Sequence, residues 1–494
     1  MSLLPVLVDE AIYLRWAEII QHQHTWFVSL LDAKPPLIYW LYAALRFIVP
    51  NNPLVGNRLV SVVAGALCTL LLYRVAYLCA GFKAGLVAAF LYAVLPFAVV
   101  YDRIAYVDSV VNLCGVGLVH ASLSAFGEEL SWRRTLETGV FLGLGLFVKT
   151  TILLFAFAPI AIALYLQRRD RANVALHLVA IYAVASLFPL WSQLSVPLAP
   201  TFPYNNMLFH HTSFFTPLPI LLHDPLADLR FNIPLLGSYA AVYIGSLTLI
   251  AALIALLALV IQRNYLPVLI FLVCTAPLVL VLTCLEYFPS RYVFPIVWPL
   301  LLVIACACAF PVNRRSISIL IYFLVASVTA SMFLKSLQIV ENPDAGLHER
   351  DADEFLGQGP YSGSGVLEAI AMLRDEGRNG PITILTDPWW GPPTDVVFAY
   401  LNEVDGIRVY EAWWLQLEAK YPLVPSGSMP VWKSQYERVA AADVDFSTVP
   451  RLYYITDTDY HTPEEVHAAA PSARLLRRFQ KRNGSEYIDV YRLH

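Results

Sequence analysis

Runs of about 20 apolar residues, the length a helix needs to cross a bilayer, recur throughout the first 340 residues. They fall at 57–79, 84–101, 107–126, 174–197, 233–261, 266–285, 292–311 and 316–338. A further stretch, 136–167, is apolar except for Glu137 and Lys149-Thr150-Thr151. It is too long for one upright helix and short for two, and reads as two short helices, 136–148 and 151–167, meeting near Lys149. Residues 1–340 hold only 13 acidic and 19 basic side chains, whereas residues 341–494 hold 24 acidic and 14 basic ones. The second figure, about 25% charge, is that of an ordinary soluble domain. The chain is therefore expected to be a polytopic α-helical membrane protein with a C-terminal soluble α/β domain, and not a cytosolic enzyme.

The basic residues orient the spans. Lys83, Arg133-Arg134, Arg168-Arg169-Arg171, Arg263 and Arg314-Arg315 mark alternate connections, which places them on the cytoplasmic side. About ten crossings over 57–340 satisfy this arrangement. It puts the N-terminal segment 1–56, with its interfacial helices, on the outer face of the cell membrane, together with the short loops at 102–106 and 286–291, the Lys149 turn, the loop 198–232 and the tail 341–494. Residues 1–34 contain no apolar run of span length and no signal peptide. A polar segment on the outer face calls for a preceding span, so a first transmembrane helix is expected upstream. All seven cysteines lie in apolar runs and none in the tail, so they read as small buried hydrophobes. In the tail, strands are expected at 382–386, 407–411, 451–456 and 486–493, and helices near 364–377, 394–403 and 462–469. Its net charge of −10 argues against nucleic acid as a partner.

The unusual polar residues gather in the outer loops. Asp9-Glu10 opens a stretch whose residues 12, 13, 16, 19 and 20 make one apolar helical face, suited to a helix lying in the membrane interface; Asp9 also suits an N-cap. Lys34-Pro35-Pro36 starts a second aromatic-rich helix through Tyr39-Trp40, and Lys34 at membrane depth either snorkels or binds an anion. Asp102-Arg103 and Asp108 cap two span ends. Lys149 stands alone in an apolar hairpin, where an ammonium costs about 2.5–3.5 kcal/mol, so it must snorkel outward or meet an anion. Arg291-Tyr292 opens a span, and His210-His211 lie in the long outer loop. In the tail, Trp389-Trp390, Trp413-Trp414 and Tyr453-Tyr454 suit either sugar stacking or a sheet core, and Asn483-Gly484-Ser485 is a formal glycosylation sequon. Together, carboxylates and cations line one membrane face beside aromatic helices. That pattern suits a lipid-linked anionic substrate, with cations on its phosphate and a carboxylate as base.

The order Asp9-Glu10-Ala11-x-Tyr13, Lys34-Pro35-Pro36-Leu37-x-Tyr39-Trp40, Arg58-Leu59, Asp108, Lys149 and Arg291-Tyr292-x-x-Pro295 resembles the GT-C glycosyltransferases. It is most similar to the bacterial branch related to dolichyl-phosphate-mannose protein mannosyltransferases and the lipid A aminoarabinose transferases. The resemblance runs from residue 9 to about 340. It implies a GT-C-like fold and transfer of a hexose or pentose from a polyprenyl-phosphate sugar to a lipid, glycan or protein acceptor. It further implies that Asp9 is the catalytic carboxylate, with Glu10 beside it, and that Lys34 holds the donor phosphate. Arg291, Arg103 and Lys149 are further candidates for the phosphate, and Tyr13, Tyr39, Asp108, His210 and Tyr292 for substrate contact. Some members carry Glu before the lysine; here that residue is Ala33, with Asp32 one further back. The chemistry is single-displacement and inverting, and a phosphate leaving group held by cations needs no general acid. No nucleotide is expected; a divalent metal is not required and not excluded. The rival readings are a transporter or lipid flippase, which places ionisable groups mid-membrane in paired repeats, and an inactive scaffold of the same fold.

Overall fold

The protein is described by a computed structural model covering residues 4–32, 34–167, 170–195, 215–286, 288–309, 315–357, 361–387, 391–402, 404–411, 449–482 and 484–493. His210, His211, Trp389, Trp390, Trp413, Trp414 and Asn483 lie outside these residues.

Strand β1 (Val6–Leu7) leads into helix α1 (Val8–Gln23), and α2 (Leu37–Ile48) follows directly after Pro36. Helix α3 (Pro53–Ala80) starts on an Asn52 cap whose side chain accepts from Val55 N, with Pro53 in the first turn, where its missing N–H costs nothing. The membrane module continues through α4 (Phe82–Ala93), α5 (Pro96–Tyr101), α6 (Asp108–Ala125), α7 (Trp132–Leu146), α8 (Ala158–Leu166) and α9 (Arg171–Ser195). Then come α10 (Leu218–His223), α11 (Ala227–Tyr243), α12 (Ser246–Ile261), α13 (Tyr265–Leu282), α14 (Val297–Ala309) and α15 (Arg315–Glu341). Among the described residues five helical segments are long and apolar enough to cross a membrane unaided: Pro53–Ala80, Arg171–Trp191, Tyr265–Leu282, Ser290–Ala309 and Ile319–Glu341. The fourth is the central one, 72% buried over its apolar window against 17–39% for the others.

Two expected spans are broken. The stretch 84–101 divides into α4 and α5 at Leu95-Pro96, because proline removes one helical hydrogen bond and clashes with the preceding turn. The stretch 233–261 bends by 102° between α11 and α12, at Gly245, whose φ of +85° is a conformation that favours glycine. The 136–167 hairpin divides as expected: α7 ends at Leu146, Lys149 is extended, and a 3-10 turn (Thr150–Phe155) leads into α8.

Helix α1, expected as an amphipathic interfacial helix, is enclosed by protein on two sides. It is buried from Glu10 to Ile20. Its predicted apolar face, Ile12, Tyr13, Trp16, Ile19 and Ile20, belongs to the core of the membrane module, and Ala11 and Leu14 on the other side belong to the core of the C-terminal domain. The charges that made it look amphipathic are satisfied inside the protein. Arg15 pairs with Glu18 and lies 4.3 Å over the Phe398 ring, and Glu18 accepts from Asn402 Nδ2 at 3.2 Å. Arg46 of α2 donates to Ala399 O at 3.0 Å across the same junction. A two-residue antiparallel pairing of β1 with β2 (Ser362–Gly363) adds a second tie between the chain's ends.

After α15 the chain makes one turn and forms α16 (Glu349–Leu356), then β2, α17 (Val366–Arg378), β3 (Ile382–Thr386), α18 (Thr394–Leu401) and β4 (Ile407–Glu411). Strand β5 (Leu452–Asp457), α19 (Pro463–Ala469), β6 (Arg474–Gln480) and β7 (Tyr487–Arg492) complete the domain. The sheet order is β4-β3-β5-β7-β6, with β3 parallel to both β4 and β5 and the remaining pairs antiparallel. Helices α17 and α18 pack on one face with Ile384, Ile455 and Val490, and α19 packs on the other with Leu385, Tyr454 and Tyr491. Tyr453 and Tyr454 are therefore core residues. Strand β6, Arg-Leu-Leu-Arg-Arg-Phe-Gln, was not expected from sequence: it is the exposed edge, where charge guards against further pairing.

Candidate active site

Asp9 sits in the first turn of α1, where the partial positive charge of the helix N-terminus favours a carboxylate. Its Oδ2 accepts from Arg291 Nη1 at 2.5 Å, and Lys34 Nζ is 3.7 Å from Oδ1. Burial alone raises the pKa of this carboxyl. Lys34 and then Arg291 pull harder the other way, assisted by Lys149, and hold it at about 2. The three side chains come from positions 9, 34 and 291, and all remain partly open: 16% exposed for Asp9, 25% for Lys34 and 19% for Arg291. A ligand can therefore reach them.

Aromatic rings form the walls. Lys34 Nζ lies 5.3 Å from the ring centres of both Tyr13 and Trp16. Behind them Tyr39 packs 5.0 Å from Tyr13 and edge-on to Trp16 at 4.8 Å. Arg291 lies over Tyr106 at 5.4 Å and near Tyr292 at 6.0 Å. Lys149 Nζ stands 5.1 Å from the centre of the Tyr292 ring and donates to Asp108 Oδ1 at 2.9 Å. Of the two alternatives for Lys149, snorkelling outward or meeting an anion, the second is found: it pairs with Asp108, itself only 2% exposed. Within this group of five side chains Lys34, Arg291 and Lys149 meet Asp9 and Asp108.

Glu10 does not share this opening. Arg58 grips it with Nε at 2.8 Å and Nη2 at 2.6 Å, and the N–H groups of Ala105 and Leu7 donate to it at 2.6 and 3.1 Å. It is fully buried, and with four donors it serves as the anchor that joins α1 to α3 and to the segment before α6. Arg103 also stands apart, lining a small cavity with Leu4, Arg58, Val99, Ile339 and Pro343. Tyr13, Tyr39, Asp108 and Tyr292 join the Asp9 cluster as walls or counter-ions.

Sequence reasoning missed the support for Arg291. Ser290 Oγ donates to Asp351 of α16, 2.7 Å from each carboxylate oxygen, and Tyr101 OH lies 2.6 Å from the same hydroxyl. Tyr243 donates to Asp351 as well. Burial raises the Asp351 carboxyl to about 6, with these two donors pulling it partly back. The Asp351 and Glu354 of a polar run resemble any solvated helix, and only the fold reveals where they face.

The chain aligns structurally with ArnT from Cupriavidus metallidurans in the apo state, with a TM-score of 0.62 over 99% of this chain and 94% of that one, at 12% identity. The structure of the same protein bound to undecaprenyl phosphate gives the same values. The chain has the GT-C fold. Within that fold, residues 33–192 match the sequence profile described as dolichyl-phosphate-mannose-protein mannosyltransferase, a stretch that opens at the Lys34-Pro35-Pro36 element and includes Asp108 and Lys149. No curated protein sequence matches the chain. Among the described residues no group of three or more His, Cys, Asp or Glu is placed to hold a metal ion.

Proposed function

We propose that the protein transfers a sugar from a polyprenyl-phosphate donor to an acceptor hydroxyl or amine on the extracytoplasmic face of the membrane. The observation that carries this reading is the convergence of Lys34 and Arg291 on the partly open Asp9, with the Lys149–Asp108 pair beside them across Tyr292. A phosphodiester donor carries one negative charge, and Lys and Arg bind it through charge-assisted hydrogen bonds. The similarity to ArnT, one of whose structures is bound to undecaprenyl phosphate, supports a lipid-linked donor.

In the proposed reaction Asp9 takes the proton of the acceptor. The acceptor oxygen or nitrogen bonds to the anomeric carbon as the bond from that carbon to the phosphate oxygen breaks, inverting configuration. The polyprenyl phosphate leaves with the electron pair, its charge held by Lys34 and Arg291. Asp9 with a pKa of about 2 is a weak base while both cations face it. A bound donor phosphate shares those cations, which raises the Asp9 pKa toward the operating pH and strengthens it as base. The donor therefore binds before proton transfer. The test is to supply membranes containing the full chain with a panel of undecaprenyl-phosphate hexoses and pentoses. Consumption that depends on the protein supports the reading; no consumption of any of them, with the protein present and folded, rejects it in favour of transport or a scaffold role.

A further inference from the structure

A second carboxylate shares the field of Arg291. Glu354 belongs to α16, the short helix between the last span and the sheet domain. This helix is fixed to the Arg291 segment at two points. Asp351 binds Ser290, the residue before Arg291, and Phe355 meets the Tyr106 ring edge-on at 6.3 Å, beneath the guanidinium. Glu354 lies between these anchors. It interacts electrostatically with Arg291, Asp351 and Asp9 and with the phenols of Tyr101, Tyr106 and Tyr239. Among the described residues Glu354 makes no hydrogen bond or ion pair, and the buried Nε of Arg291 has no partner either. A half-buried carboxylate, on a helix anchored to the Arg291 segment, thus lies in the field of that cation without a direct ion pair to it.

The two phosphates of the proposed reaction differ in charge. The donor is a phosphodiester with one negative charge. The product is a monoester, which carries about 1.5–2 negative charges at pH 7 because its second pKa is about 6. Lys34, Arg291 and Lys149 would therefore hold the product more tightly than the donor, and turnover would stall. We propose that Glu354 sets the charge balance at Arg291 so that the monoester product is disfavoured relative to the diester donor and leaves. This rests on the polyprenyl-phosphate reading above. Burial raises the Glu354 carboxyl to about 7, with Arg291 pulling it partly back, so the group is mostly neutral at pH 6 and mostly charged at pH 8.

The experiment titrates purified full-length protein in detergent micelles with undecaprenyl phosphate at pH 6 and pH 8. At pH 8 the E354Q protein should bind on the order of 10-fold more tightly than wild type, the effect of one unscreened like charge. At pH 6 the two should agree within about twofold. Titration of the phosphate itself cancels in the ratio of the two proteins. E354A should follow E354Q, and E354D, which keeps the charge, should follow wild type. A merely structural role for Glu354 would weaken binding in E354Q, the opposite sign. Equal or weaker binding by both E354Q and E354A at pH 8, with wild type binding normally, overturns the proposal and leaves the donor reading intact. Wild type that binds no undecaprenyl phosphate at either pH overturns both.

Discussion

Replacing Lys34 by methionine separates the phosphate-binding role from a structural one. Lys34 Nζ is 3.7 Å from Asp9 and 25% exposed, so its ion pair is partly screened and contributes about 0–1 kcal/mol to folding. Methionine keeps the apolar stem against Tyr13 and Trp16. The thermal midpoint should therefore fall by no more than a few degrees. The effect on the ligand is larger. A hydrogen bond from an ammonium to phosphate contributes about 1.5–3 kcal/mol, which is about 10- to 150-fold in affinity. Undecaprenyl phosphate binding, measured by titration in detergent at fixed salt, should weaken by that factor in K34M. K34R, which keeps the charge, should recover much of it. Wild-type affinity in a folded K34M protein would show that the donor phosphate is held elsewhere and that the cluster around Asp9 is only a structural salt bridge.

Three further outcomes are expected. Asp9 is held at about 2, below its ordinary 3.8, because Lys34 and Arg291 outweigh its burial; with a depressed folded pKa, its contribution to stability of about 2 kcal/mol is present above pH 4 and lost as pH falls to 2. D9N should flatten that part of a pH series of thermal melts, and an unchanged slope would contradict the assigned electrostatics. R58M leaves Glu10 buried without its partner and should destabilise by about 3–5 kcal/mol, read as loss of monodisperse protein on size exclusion; a stable R58M would mean that Glu10 is not the anchor described. F398A removes the ring beneath Arg15 at the junction of the two modules and should cost about 3–5 kcal/mol, visible as faster proteolysis of the C-terminal domain, whereas wild-type protease resistance would argue that the junction carries little of the docking energy.

The residues that the sequence made legible are those whose surroundings are apolar. Lys149 in its hairpin had either to snorkel outward or to meet an anion, and it meets Asp108. The tail strands β3, β4, β5 and β7 follow from apolar runs, and the division of 136–167 from the polar Lys149-Thr150-Thr151. Legibility failed where a polar group is satisfied by a distant partner. The apolar face of α1 was legible, but not the surroundings of Arg15 and Glu18, which are Phe398 and Asn402, almost 400 residues away. Glu10 looked catalytic beside Asp9, but adjacent helical residues point in different directions, and Arg58 seals it. Glu354 and Asp351 sit in a segment whose charge density is that of any soluble surface. The meeting of positions 9, 34 and 291 is a property of tertiary packing alone. Local pattern put them on one membrane face but could not bring them into contact.

The central claim is that Asp9 activates the acceptor while Lys34 and Arg291 hold the donor phosphate. It is tested most directly by single-turnover sugar transfer from the undecaprenyl-phosphate sugar that wild type consumes, comparing wild type with D9N at matched protein level and matched donor occupancy. D9N should bind undecaprenyl phosphate at least as tightly as wild type, because the competing carboxylate is gone, and yet transfer sugar about 10²–10⁴-fold more slowly, the size expected for loss of a general base. Transfer by D9N at the wild-type rate would contradict it.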